Sequence, residues 1–133
     1  MGYRSDVRIK LLKKDFEKLC KDWENERKKL TEPYYDYNLL EDFDIIKDIK
    51  GNIFNPETRE WEVEQQNIVY FGWNWIKWYN FSEDYKDVCF IDNFVRQCDH
   101  SAYLRIGEET GDIEIFATNM DDINYEIVIK DDE

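Results

Sequence analysis

The sequence predicts an α+β fold in which two helices cover one face of a mainly antiparallel sheet. Segments with apolar residues at period two alternate with two segments whose apolar residues recur at helical spacing. Their order is β-α-β-β-α-β, and one or two further antiparallel strands follow. At 133 residues the chain fits one domain, residues 1 to 133, and a domain of this size buries roughly two thirds of the surface its unfolded form exposes.

From Asp6 to Leu11 polar and apolar residues alternate, with Val7, Ile9 and Leu11 on one face, which is the pattern of a half-buried strand. From Lys14 the period changes. Phe16, Leu19, Cys20, Trp23 and Leu30 fall on one helical stripe among Lys and Glu, and Pro33 disfavours helical backbone at the residue before it. Tyr34 to Asp42 is aromatic and acidic without a period and reads as a loop or short helical turn. Asp44 to Phe54 reads as a strand with a turn in or after it, around Lys50-Gly51-Asn52. A β pattern runs from Trp61 to Trp78, most clearly from Ile68, and places Val69, Phe71, Trp73 and Trp75 on the core side. Ser82 is the expected N-cap of the second helix, with Glu83 and Asp84 in its first turn, where carboxylates complement the helix dipole. Tyr85, Val88, Ile91, Phe94, Val95 and Cys98 form its apolar stripe. Tyr103 to Glu108 and Asp112 to Ala117 read as a hairpin turning at Glu109-Thr110-Gly111, and Ile123, Tyr125, Ile127 and Ile129 alternate through a last strand. Two helices on one face of this sheet describe a ferredoxin-like, split βαβ arrangement with extra C-terminal antiparallel strands.

Composition narrows the classes. Aromatic residues make up 17% of the chain, enough for a core of few, large side chains, and the periodic blocks argue against global disorder. The first residues hold no apolar signal core and no window approaches a membrane span, so a cytoplasmic protein is expected. Cys20, Cys89 and Cys98 are an odd set without a Cys-x-x-Cys pair, which predicts reduced, buried thiols rather than a metal or redox site. The formal charge of −13 is unevenly spread. Residues 1 to 30 carry ten Lys or Arg against six acids, whereas residues 31 to 133 carry eight against 25.

Three segments, Gly2-Tyr3-Arg4-Ser5-Asp6-Val7, Lys77-Trp78-Tyr79, and Leu104 to Glu109 with Asp112-Ile113-Glu114, resemble a group of small acidic proteins from bacteriophages and prophages. The resemblance covers both ends and the second half of the chain but not residues 31 to 66. It implies a viral origin and residence in the host cytoplasm. Acidic phage proteins of this size include inhibitors of host defence, such as anti-CRISPR proteins, so the resemblance also implies an inhibitory binding role. No functional residue is carried over from it.

Enzymatic constellations are weakly supported. His100 is the only histidine, and no nucleophile elbow, His-Glu-x-x-His or phosphate loop accompanies it. Cys98 lies two residues away, a spacing that points the side chains apart at a helix end. Glu108, Glu109, Asp112 and Glu114 cluster at one turn, and Asp121 and Asp122 sit at the next. Such turns can bind Ca²⁺ or Mg²⁺, but these lack calcium-loop spacing and read as a solvated acidic rim. No metal and no cofactor are implied.

Two binding readings remain. DNA carries one charge per roughly 1.7 Å of duplex, so the 17 net negative charges of residues 31 to 133 would match about 30 Å of it if all faced one way. The expected partner is then a host protein that handles nucleic acid, held through Asp36, Glu41, Asp42, Glu57, Glu60, Glu62 and Glu64 with Glu108, Glu109, Asp112, Glu114, Asp121 and Asp122. No direct DNA binding is expected. Acidity that only maintains solubility is the plain alternative. The second reading places Arg8, Lys10, Tyr70, Asn74, Tyr103 and Arg105 on the sheet face away from the helices, an aromatic and basic surface for a nucleotide or single-stranded RNA, unless the last strands or a second subunit cover it.

Overall fold

The computed structural model of the chain describes residues 2 to 30 and 37 to 124. Strand β1 (Ser5–Leu12) runs directly into helix α1 (Lys13–Arg27). After a single 3-10 turn at Leu39–Glu41 come β2 (Ile45–Gly51), a small hairpin of β3 (Phe54–Asn55) and β4 (Glu60–Trp61), and the long β5 (Gln66–Ile76). Helix α2 (Lys86–Gln97) then leads to β6 (Ser101–Gly107) and β7 (Ile113–Thr118). Five strands form one sheet in the order β2-β5-β1-β6-β7, every neighbouring pair antiparallel, and β3 and β4 form a second, two-stranded sheet. The chain is therefore an α+β protein. Among the described residues no helix is long and apolar enough to cross a membrane.

Both helices pack on the same face of the sheet. Leu19 and Trp23 from α1 and Val88, Ile91 and Val95 from α2 share one buried cluster with Val7, Ile9, Leu11, Val69, Phe71, Trp73 and Tyr103. Aromatic rings carry much of this layer: Phe16 meets Phe71 edge-on at 4.9 Å, and Trp73 stacks on Trp78 at 5.3 Å. The far face holds a smaller cluster of Leu12, Ile68, Ala102 and Leu104 beneath Ile53, Met120 and Ile123. Ile53 and Met120 form an isolated bridge that straps the β3–β4 hairpin to the chain leaving β7.

Several local expectations shift. Helix α2 begins at Lys86, because Ser82 heads a preceding turn in which its carbonyl accepts from the Tyr85 N–H at 3.0 Å and its hydroxyl from the Asp84 N–H at 3.4 Å. Helix α1 ends at Arg27 and closes through turns, with Leu30 still against the core. Trp75 does not join the core side. Between the pairs Ser5↔Ile76 and Val7↔Trp73, Asn74 and Trp75 together oppose the single Asp6, and this bulge resets the alternation so that the indole is 60% exposed. The strand expected through Tyr125, Ile127 and Ile129, and the site residue Asp36, lie outside the described residues.

Candidate acidic and aromatic binding surface

The two antiparallel pairings of β1 define one end of the sheet, where Ser5 pairs with Ile76 of β5 and with Gly107 of β6. Three chain segments converge there: the approach to β1, the exit from β5, and the β6–β7 turn. Arg105 organises the convergence. Its guanidinium donates to both Asp112 carboxylate oxygens, at 2.9 and 3.2 Å, to the Ser5 hydroxyl at 3.1 Å and to Glu114 at 3.4 Å. The Tyr3 hydroxyl donates to Asp112 at 2.5 Å and accepts from the Glu109 N–H at 3.0 Å, while Glu108 accepts from the Arg4 N–H at 2.7 Å. These bonds set the electrostatics. The Arg105 and Tyr3 donors hold the Asp112 carboxyl below its usual pKa, and Asp112 in turn raises that of Arg105. Burial, then the bond to Glu114 at 2.7 Å, raises the Tyr103 phenol.

Around this network lies a cleft of about 590 Å³. Tyr3, Trp78, Tyr79 and Phe81 supply its aromatic wall and Glu109, Asp112 and Glu114 its acidic one. Phe81 is 84% exposed, with the Tyr79 ring beside it at 5.8 Å. Arg4 leads to a second, smaller cleft of about 240 Å³, lined by Tyr37, Asp42, Asp44 and Trp75 among others.

Trp75 sits there with a φ of 55°, a left-handed conformation unfavourable for any bulky residue. Polar contacts hold it. Asp6 accepts from the Trp75 N–H at 2.8 Å, Asp44 from the Asn74 N–H at 2.6 Å, and Arg4 donates to the Trp75 carbonyl at 3.2 Å. Strain that the surroundings enforce in this way is a recurrent mark of functional surface.

Of the acids singled out from sequence, the fold brings Glu108, Glu109, Asp112 and Glu114 together at this end, with Asp42 entering it from the start of β2, where Ile45 pairs with Gly72, whereas Glu41 stands near Cys20 of α1. Glu57, Glu60, Glu62 and Glu64 belong to the β3–β4 hairpin, and Asp121 and Asp122 follow its Met120 bridge, so these six stand at the opposite end. The acidity is bipolar across the sheet rather than one patch.

The aromatic and basic face requires correction. Ile9 pairs with Tyr103 and Val7 with Arg105, which puts Tyr103, wholly buried, and Arg105 on the helix side. Arg8, Lys10, Tyr70 and Asn74 do lie on the far side, but Arg8 is buried, donating to the Val7 and Trp73 carbonyls at 2.9 and 3.0 Å and to the Asn74 side chain. Burial lowers the Lys10 pKa. The six residues do not form one surface.

Cys98 and His100 both line a groove of about 630 Å³ between the helices. Burial pushes the Cys98 thiol up to about 11, as it does that of Cys20, and Cys98 donates to the Phe94 carbonyl at 3.3 Å. A thiol held protonated is the reverse of an activated nucleophile. Among the described residues no group of three His, Cys, Asp or Glu side chains is placed to hold a metal ion.

What the sequence reading missed here is Trp75 and Asp6. Their signal, a Trp two residues beyond a core Trp in a strongly patterned strand, is indistinguishable from an ordinary core position until the bulge is seen. No protein-family model matches the chain, and comparisons with curated proteins and with solved structures return no significant match.

Proposed function

We propose that the protein is a binding module that occupies the basic, nucleic-acid-handling surface of a host protein and blocks it, in the manner of a phage-encoded, anti-CRISPR-like inhibitor of host defence. The observation that carries this reading is the convergence of exposed aromatic rings with carboxylates. Trp75, Phe81 and Tyr37 stand at 60%, 84% and 46% exposure among Asp6, Asp42, Asp44, Glu109 and Asp112. Large rings supply apolar contact and cation–π faces at low entropic cost, and the carboxylates attract the lysines and arginines that would otherwise hold phosphate. The strand order, with β1-α1-β2 and β5-α2-β6 each enclosing one antiparallel strand, supports a ferredoxin-like arrangement as the scaffold.

The test is capture from host lysate by the immobilised protein, followed by elution with duplex DNA. A basic nucleic-acid-handling protein should be retained, released by DNA and by salt, and lost from a Trp75→Ala/Phe81→Ala variant that melts like the parent. Retention indifferent to DNA, or unaltered in the variant, would sink the reading.

A further inference from the structure

The smaller cleft, about 240 Å³, lies below the roughly 300–1,000 Å³ of a site for a drug-sized molecule and is of a size for a single side chain. Its construction is specific. Phe43 packs into the core against Trp73, with ring centroids 5.6 Å apart, and the residues on either side of it, Asp42 and Asp44, are exposed carboxylates that line the cleft. Both are fixed through the backbone. The Asp42 N–H donates to the Leu39 carbonyl at 3.4 Å and the Asp44 N–H to the Gly72 carbonyl at 3.0 Å. Tyr37 and Trp75 add two exposed rings to the lining, and the left-handed backbone of Trp75 is what holds its indole at the cleft instead of in the core.

Charge and free acceptors define what fits. Arg4 is the one cation among the described residues that line the cleft, and its guanidinium is turned to the Trp75 carbonyl at 3.2 Å. The two lining carboxylates outweigh it, and among the described residues neither is ion-paired. Asp87 stands close as a third: burial, then Asp42, Asp87 and Asp44, raises the Tyr37 phenol. An electronegative site walled by rings attracts a cation. Each lining carboxylate has one oxygen engaged, since Asp44 accepts from the Asn74 N–H at 2.6 Å and Asp42 from the Tyr37 hydroxyl at 3.3 Å. Neither therefore offers the two-oxygen edge that a guanidinium fork prefers, whereas one oxygen from each of two residues suits the rotatable N–H donors of an ammonium. We infer that this cleft receives one lysine side chain of the partner, its ammonium set against the Trp75 and Tyr37 rings and donating to the free oxygens of Asp42 and Asp44. The inference rests on the basic-partner reading above and gives it a selectivity: lysine over arginine, and unmethylated over trimethylated lysine, because a trimethylammonium has no N–H for the two oxygens.

The probe is a capped Gly-Lys-Gly tripeptide, titrated into the full chain to tens of millimolar while the Trp75 indole and backbone N–H resonances are followed by NMR, with Trp75→Phe assigning the indole signal. The expected result is saturable binding that shifts both resonances and weakens with salt. The Gly-Arg-Gly and trimethyllysine counterparts should bind several-fold more weakly. Asp42→Asn/Asp44→Asn, which removes both charges and keeps the side-chain shapes, and Trp75→Ala should each weaken binding about tenfold or more. Should either variant disturb the fold, the ranking of the three peptides on the parent chain still decides. Three results overturn the inference: no saturable shift at Trp75, arginine or trimethyllysine peptide bound as tightly as the lysine peptide, and lysine-peptide binding undiminished in an Asp42→Asn/Asp44→Asn variant that melts like the parent. The lysate experiment separates this inference from the reading beneath it. Capture undiminished by Asp42→Asn/Asp44→Asn would overturn the lysine site and leave the inhibitor reading standing, whereas a lysine peptide bound at Trp75 by a chain that captures no nucleic-acid-handling protein would overturn the inhibitor reading alone.

Discussion

Consecutive residues of β5 look into two differently built halves of the molecule. Toward the helices, Val69, Phe71 and Trp73 enter a deep layer of rings, where Trp73 also donates its indole N–H to the Leu39 carbonyl at 3.0 Å. Away from them, Ile68 meets a shallow cover made by Ile53, Met120 and Ile123, and Gly72 lies against the Val7 backbone and the Arg8 side chain. Two helices provide depth for aromatic side chains, whereas irregular chain laid across a sheet accommodates branched aliphatics and close backbone approaches. At Gly72 a Cβ would come within 1.9 Å of the Val7 carbonyl oxygen, so here the two central strands admit no side chain at all.

Substitutions along this strand break or sharpen that contrast. Trp73→Ala should be the most damaging, costing about 3–5 kcal/mol in urea unfolding through the cavity it leaves in the ring layer. A loss below 1 kcal/mol would mean that the layer collapses easily and is not the rigid half. Gly72→Ala should cost roughly 1–3 kcal/mol by forcing β1 and β5 apart, and a larger loss than that of Trp73→Ala would make the shallow half the more tightly specified one. Trp75→Gly should act in the opposite direction, raising stability by about 1 kcal/mol, because glycine adopts positive φ without steric cost and the Asp6 bond to the backbone N–H persists. Stability gained together with loss of partner capture would identify the strain as retained for binding.

The smallest expected effect is one of pH. The folded pKa of Asp112 lies below its unfolded value, so its contribution is fully present above the ordinary carboxylate pKa of about 3.9 and is lost as pH falls through the lower folded value. The Tm difference between the parent and Asp112→Asn should accordingly stay constant from neutral pH to about pH 5 and close below about pH 4. A difference that persists at pH 2 would assign the effect to packing rather than charge.

Much of the fold was legible because periodicity is written locally. The alternation through Val7, Ile9 and Leu11 and the stripe of Val88, Ile91 and Val95 each require only neighbouring positions to be read, and both became core. The site was less legible. Turn chemistry marked Glu108 to Asp112 as an exposed acidic corner, but Arg105 was assigned to the wrong face, because the phase of one strand against another is a matter of register, which a single strand's alternation does not contain. Trp75 was misplaced for a related reason. A bulge depends on which residue lies across the ladder, in this case Asp6, 69 positions earlier in the chain.

By itself, then, the sequence determined the α+β class, the two amphipathic helices, the aromatic character of the core and the polarised charge, since composition and short-range period suffice for each. Only the tertiary structure decided that the acids stand at two ends of one sheet, that Tyr103 and Arg105 turn toward the helices, and that Trp75 is held outward. Those three features are set by pairings between residues far apart in the chain, whose geometry exists only once the strands have met.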